Sequence, residues 1–312
     1  MKRILSVMIM LLALLGAHTA WGETLKISYV KSPFNLQMIV MKENQMLEKA
    51  MQPLGVEVKW LEINSGSKQA QALASGDLDI GGVMNTTSVI MANGEGNPVK
   101  VIAGVARPTD VFAIVGAKDG VKSIAELKGK TVAGPKGTVL HQLLVAALAK
   151  EGMSIADVKF MQMDIPQAYA ALQSGRVDAA LLAANFVINA QNEQAFVLTT
   201  ATGLVTPILV MTTSEAFLQK HPEWVNATVA AHDEAWQWIV NNPQEAIALG
   251  AKVQNISIED AQKLYDWTHF TQRLNQDDIQ SMQKDMEFML QNDMMRNSID
   301  IQPIVLPSAF EK

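Results

Sequence analysis

Ala72-Leu73-Ala74-Ser75-Gly76-Asp77-Leu78-Asp79 recurs 99 residues later as Ala171-Leu172-Gln173-Ser174-Gly175-Arg176-Val177-Asp178, with Ala, Leu, Ser, Gly and Asp at identical spacing. Each copy reads as a helix end, a glycine cap in a tight turn and then a buried strand, Ile80 to Val83 and Ala179 to Leu182. A loop follows each strand, and in open α/β sheets ligands sit beyond the carboxyl ends of strands. Two such units predict two similar α/β lobes, each offering a loop to a shared cleft.

Around the first copy, Thr24 to Val30 alternates like a strand and runs into the loop Lys31-Ser32-Pro33-Phe34-Asn35. Gln37 to Gln52 reads as one amphipathic helix, Val56 to Ile63 as a second strand, and Ser65-Gly66-Ser67 as the start of the helix bearing the repeat. Asn85-Thr86-Thr87-Ser88 then opens a short helix, followed by a strand from Val99 to Val105. Alternating strands and helices predict a mostly parallel sheet.

Arg107-Pro108-Thr109-Asp110 is the first candidate crossover, and Val111 to Val115 begins the second lobe. There Ser123 to Lys130 reads as a capped short helix and Thr131 to Ala133 as a strand; Gly134-Pro135-Lys136-Gly137-Thr138 opens a helix from Val139 to Glu151. A strand near Val158 to Met163, the second copy and Asn185-Phe186 complete the lobe, and Val205 to Met211 reads as the returning strand. From Ser214 the pattern is helical almost to Asp293. The expected division is a leader at 1–22, a first lobe of 23–107 plus 205–312 with C-terminal helices, and a second lobe of 108–204.

Lys2 and Arg3 precede an apolar core, Val7 to Leu15, and Ala20 and Gly22 occupy the small positions before a cleavage site at Glu23. These are the three regions of a secretory signal peptide, and the apolar run is too short for a bilayer span. With no cysteine in the chain, neither a lipid anchor on a leader Cys nor a disulfide can form. A soluble periplasmic protein, not a lipoprotein, is the expectation. Subtracting Lys2 and Arg3 from the 25 basic residues leaves 23 against 31 acidic ones, a formal charge of −8. That excess argues against nucleic acid or an anionic membrane surface as a partner. The 18 methionines are scattered, as core fillers are.

The order of motifs carries a resemblance. Tyr29 in a first strand, Leu54-Gly55-Val56-Glu57-Val58, Ser65-Gly66, the first Ala-Leu-x-Ser-Gly-x-x-Asp, Ser123-Ile124-Ala125-Glu126-Leu127-Lys128-Gly129-Lys130, Gly137-Thr138 before His141, the second copy, and His221-Pro222-Glu223 follow one another. Over residues 24–270 the chain resembles the periplasmic solute-binding proteins of ABC importers in the aliphatic-sulfonate, taurine and nitrate group, which also includes the pyrimidine-precursor binders of thiamine salvage. The resemblance implies two Rossmann-like lobes, a two-strand hinge and a ligand trapped by closure. It also implies a small-molecule ligand, a permease with its ATPase as partners, a monomer, and no cofactor, metal or catalysis. The chain departs from the sulfonate binders at two places. Gly137-Thr138 is followed by Val139 and Leu140 in place of a Gly-Ser-Ser run, and Ala183-Ala184-Asn185-Phe186 stands where Trp-Asp-Pro is frequent. Both changes remove polar groups from cleft positions.

Candidate ligand contacts are the helix starts Ser65-Gly66, Asn85-Thr86-Thr87 and Gly137-Thr138-Val139, where orphan backbone N–H groups and the positive dipole end favour an anion. Plain N-capping explains the same Ser and Thr residues. Arg107 at the crossover offers a bidentate fork to a carboxylate or sulfonate, or is a solvated hinge residue. Phe34 beside Asn35, and Phe186 beside Asn185, would sandwich an apolar or flat ligand from opposing loops, unless each ring belongs to its lobe's core. Asp164 would accept an amine or stand as a solvated carboxylate.

Two other functional classes compete. Ser65-Gly66-Ser67-Lys68 matches Ser-x-x-Lys of penicillin-recognising hydrolases, but no Ser-Asp-Asn or Lys-Thr-Gly follows. A ligand-sensing module for a membrane sensor shares the expected fold. Zinc chemistry has no support, because His141, His221, His232 and His269 lack the spacing of a site.

Overall fold

The computed structural model describes residues 22–30, 34–108 and 110–310. Residues 1–21 of the leader, the loop tip at 31–33, Thr109 and residues 311–312 therefore lie outside the described residues. In chain order the first elements are β1 (Thr24–Tyr29), α1 (Leu36–Glu43), α2 (Met46–Met51), β2 (Glu57–Glu62), α3 (Gly66–Ser75), β3 (Ile80–Asn85), α4 (Thr86–Gly94) and β4 (Val99–Ala106). The middle of the chain supplies β5 (Phe112–Gly116), β6 (Thr131–Gly134), α5 (Val139–Lys150), β7 (Lys159–Gln162), α6 (Ile165–Gln173), β8 (Ala179–Ala183), α7 (Asn185–Asn192) and β9 (Phe196–Thr200). After β10 (Leu209–Ser214) come α8 (Glu215–Lys220), α9 (Pro222–Asn241), α10 (Pro243–Gln254), α11 (Ile258–Thr268) and α12 (Gln276–Gln291).

Ten strands form two five-stranded sheets, ordered β2-β1-β3-β10-β4 and β7-β6-β8-β5-β9. In the first, β1 pairs parallel with β2 and β3, while β10 runs antiparallel to β3 and β4. The second repeats this scheme, with β6 parallel to β7 and β8, and β5 antiparallel to β8 and β9. Each sheet is thus mixed rather than mostly parallel. The reason lies in the two crossings between sheets: β5 and β10, the first strands after each crossing, insert against the local direction.

The repeated octapeptide occupies equivalent places in the two halves. Gly76 and Gly175 both adopt left-handed backbone (φ 75° and 69°), which glycine reaches without a Cβ penalty. The Asp79 carboxylate accepts the backbone N–H of Lys26 at 2.7 Å, and that of Asp178 accepts Thr131 N–H at 2.8 Å. Each aspartate therefore braces the parallel strand beside its own, β1 next to β3 and β6 next to β8. The strands that follow, β3 and β8, are buried along their whole length, as continuous small and apolar runs in a parallel sheet should be.

Several local expectations change. The expected helix over Gln37 to Gln52 breaks at Gln45, which takes a left-handed conformation (φ 52°), so α1 and α2 are separate. Ser123 to Lys130 forms only a single 3-10 turn at Ala125–Leu127. The returning strand starts at Leu209, four residues later than expected, and α7 and β9 are elements the sequence pattern does not announce. C-terminal to α12, Val305 bridges to Val101 and Phe310 to Leu274, tying the tail to β4 and to the segment that precedes α12.

Candidate functional site

The two halves meet where three helices begin. α4 and α5 face each other there, and the Ser88 hydroxyl donates to the Gly137 carbonyl at 2.7 Å. The Val139 N–H donates to Asn85 Oδ1 at 3.2 Å, and the Thr87 hydroxyl donates to Gln142 Oε1 at 2.6 Å. At the rim, Lys68 on α3 pairs with Asp164, the N-cap of α6, at 2.5 Å. Every one of these contacts joins an element of the first sheet's half to one of the second's, so the structure is a closed arrangement.

A cavity of about 40 Å³, partly open to solvent, lies at this junction. One water needs roughly 10–15 Å³ by that measure, so the space suits a few waters or one compact head group. The first half contributes Val30, Asn64, Ser65, Gly66, Gln69, Val83, Asn85 and Leu209; the second contributes Phe112, Pro135, Thr138, Val139, Leu140 and Ile165. Among these described residues no side chain is ionisable. Polarity comes from neutral groups and from the starts of α3 and α5, whose N-caps Ser65 and Thr138 make no side-chain cap hydrogen bond. Their first backbone N–H groups lack intrahelical acceptors and lie at the positive dipole end. Such a cavity can hold a compact acceptor head with an apolar body, without a formal counter-charge.

Of the expected contact residues, Ser65, Gly66, Asn85, Thr138 and Val139 come together on this cavity. Gly137 sits at the junction, where its carbonyl accepts from Ser88. Thr86 is buried with its N–H on the Ile208 carbonyl, and Thr87 is spent on Gln142. Asn35 donates its amide to the Val30 carbonyl at 3.0 Å, holding the strand end that lines the cavity. Asn185 and Phe186 line an adjoining pocket of about 100 Å³ that shares Asn64 and Ile165 with the cavity.

Two expected placements fail. Phe34 is fully buried in the core, so close to Gly250 that a Cβ there would come within 2.6 Å of its ring. Arg107 does make a bidentate fork, but with an internal carboxylate: Nε and Nη2 donate to Asp278 at 2.8 and 2.5 Å. Of the residues missed, Gln69 is the most informative. It accepts from Ser28 at 2.7 Å and donates to the carbonyls of Val83 and Ile63 at 2.8 and 3.1 Å. Its spacing of four from Ser65, one helical turn, was the available signal.

Two titratable groups flank the site. His141, on the first turn of α5, is held down at about 4 by burial and then by the Lys136 charge, so it is neutral. Asp285, which accepts the Gln142 amide at 2.7 Å, is pushed up to about 6 by burial. The Ser65 and Lys68 pair is not arranged for catalysis. The Lys68 ammonium is paired with Asp164, and the Ser65 hydroxyl bonds that of Ser67 at 2.9 Å.

Two mixed α/β sheets joined by two crossings, with a cavity at their junction, define the periplasmic binding protein fold. The alkanesulfonate-binding protein SsuA from Xanthomonas axonopodis pv. citri shares it, with a TM-score of 0.79 at 20% identity over 91% of this chain and 98% of that one. The NMT1/THI5-like family model matches residues 52–246, and the chain belongs to that family. Its relatives include the "Putative aliphatic sulfonates-binding protein" of Bacillus subtilis (strain 168), 26% identical over 97% of this chain and 93% of the relative. The protein of the same name in Escherichia coli (strain K12) is 30% identical over 50% of this chain, which spans 48% of that relative's length.

Proposed function

We propose that the chain is the solute-binding component of an ABC importer, exported to the periplasm by the leader at 1–22. It captures a small organosulfonate-like anion and presents it to a membrane permease. The lobes are the two sheet-centred halves, 23–107 with 205–312, and 108–204. The observation that carries this reading is the convergence of helix starts from both halves on one cavity whose lining is free of ionic side chains. Backbone amides stabilise an anion without a buried counter-ion, and apolar walls at Val30, Phe112, Leu140 and Leu209 suit a short alkyl body. The sulfonate-binding names of the relatives support the same ligand class. Hinge closure would assemble the surface that the permease recognises.

A thermal-shift screen over alkanesulfonates, taurine, sulfate esters, nitrate, amino acids and pyrimidines tests the reading. A ligand at 100 times its dissociation constant adds about 2.7 kcal/mol to stability. A rise with at least one sulfonate, confirmed by calorimetric titration, is expected; silence across the panel would refute the proposal.

A further inference from the structure

Asn85 holds an unusual position: it caps one helix, is bonded by the start of another, and lines the cavity between them. Its Oδ1 accepts the Ser88 N–H of α4 at 2.9 Å and the Val139 N–H of α5 at 3.2 Å. Those two donors come from opposite halves of the fold. They also fix which end of the amide is oxygen, since a flipped group would set its own hydrogens against two N–H groups. The Nδ2 end has no partner among the described residues, although Asn85 is only 9% exposed. It lies beside Gly66, another lining residue, where an added Cβ would stand 3.0 Å from it.

We infer that Asn85 is a specificity-determining residue: closure locks its carboxamide so that Nδ2 becomes the side-chain donor presented to the ligand's head, selecting acceptor heads over donor heads. This rests on the proposed solute-binding reading and deepens it. The locking follows from connectivity. In an open arrangement the Val139 N–H would move away with its half, leaving the amide held by α4 alone. A ligand oxygen at the starts of α3 and α5 would meet the backbone donors and Nδ2 together. A donor head such as an ammonium would meet the same N–H groups and leave them unpaired.

Asn85→Asp tests this directly. Asp caps a helix as well as Asn and keeps the acceptor for Ser88 and Val139, but exchanges the presented donor for a charged acceptor. Asn85→Ser, also a competent cap, removes the donor without adding charge. Both variants and the parent chain would be titrated calorimetrically with methanesulfonate, ethanesulfonate and butanesulfonate, and with ethylammonium as the donor-headed probe. Circular dichroism would establish the fold of each. The expected result is sulfonate binding by the parent, weakened roughly 100-fold or more in Asn85→Asp and about 10-fold in Asn85→Ser. Parent binding with both folded variants within threefold of it would overturn the role of Asn85 and leave the solute-binding reading intact. Parent preference for ethylammonium, or parent silence to all four probes, would overturn the inference, and silence across the wider thermal-shift panel would overturn that reading as well.

Discussion

The Gln142 amide nitrogen donates to the Asp285 carboxylate at 2.7 Å, joining α5 of one half to α12 of the other. The same Gln142 side chain accepts from Thr87 on α4 at 2.6 Å. A buried amide is thus clamped between two groups of the opposite half, away from the cavity itself.

That clamp has a pH dependence. Burial raises the Asp285 pKa to about 6 from 3.8, so its stabilising contribution is full below pH 3.8 and is lost as pH rises through about 6. Asp285→Asn keeps an acceptor for Gln142 and removes the charge. Its unfolding free energy should exceed that of the parent at pH 7.5, by on the order of 1–3 kcal/mol in urea melts, and the gap should close near pH 4. A gap that is the same at both pH values would contradict the assignment.

His232 acts with the opposite sign. It is fully buried, neither ring nitrogen has a hydrogen-bond partner among the described residues, and burial holds its pKa down at about 4. A base with a depressed folded-state pKa contributes stability above about pH 6.5 that is lost as pH falls toward 4. His141 shares that direction. Thermal melts of His232→Leu should therefore show a smaller loss than the parent between pH 6.5 and 4, by up to about 3 kcal/mol.

Arg107→Ala separates structure from binding. It strips the fork from Asp278, whose side chain is 5% exposed and which also caps the start of α12. Urea denaturation should show a loss of roughly 2–4 kcal/mol, since an uncompensated buried carboxylate remains. Sulfonate affinity should stay within about twofold of the parent, as expected of a residue outside the cavity lining.

Gly66→Ala should damage the site through sterics. The new methyl would lie 2.7 Å from the Ser88 hydroxyl and 3.0 Å from Asn85 Nδ2. A stability loss of about 1–3 kcal/mol is expected, with sulfonate affinity at least tenfold weaker by calorimetry.

How far the sequence foretold this follows from the range of the signals. The repeat was legible because Gly76 and Gly175 must take left-handed backbone and Asp79 and Asp178 must meet a strand N–H. Those are local demands, and local demands leave local motifs. The helix starts at Ser65, Asn85 and Thr138 were legible for the same reason, although only the fold shows that they share one cavity. Phe34 and Arg107 misled because chemistry alone does not say what faces a residue. A loop Phe can turn inward onto Gly250, and a crossover Arg can find a carboxylate 171 residues away. Leu209, Phe112 and Ile165 reach the cavity by tertiary placement that no spacing encodes. The antiparallel insertion of β5 and β10 is likewise a property of the whole topology.

The most direct test of a solute trapped by two closing halves is a distance measured across their junction. Glu95 and Gln162 flank that junction from opposite sides and are both exposed, and the chain has no cysteine to compete for label. Spin labels on Glu95→Cys and Gln162→Cys should give a broad, longer distribution without ligand and a narrow, short one with saturating alkanesulfonate. A distribution unchanged by a sulfonate that calorimetry shows to be bound would contradict the account.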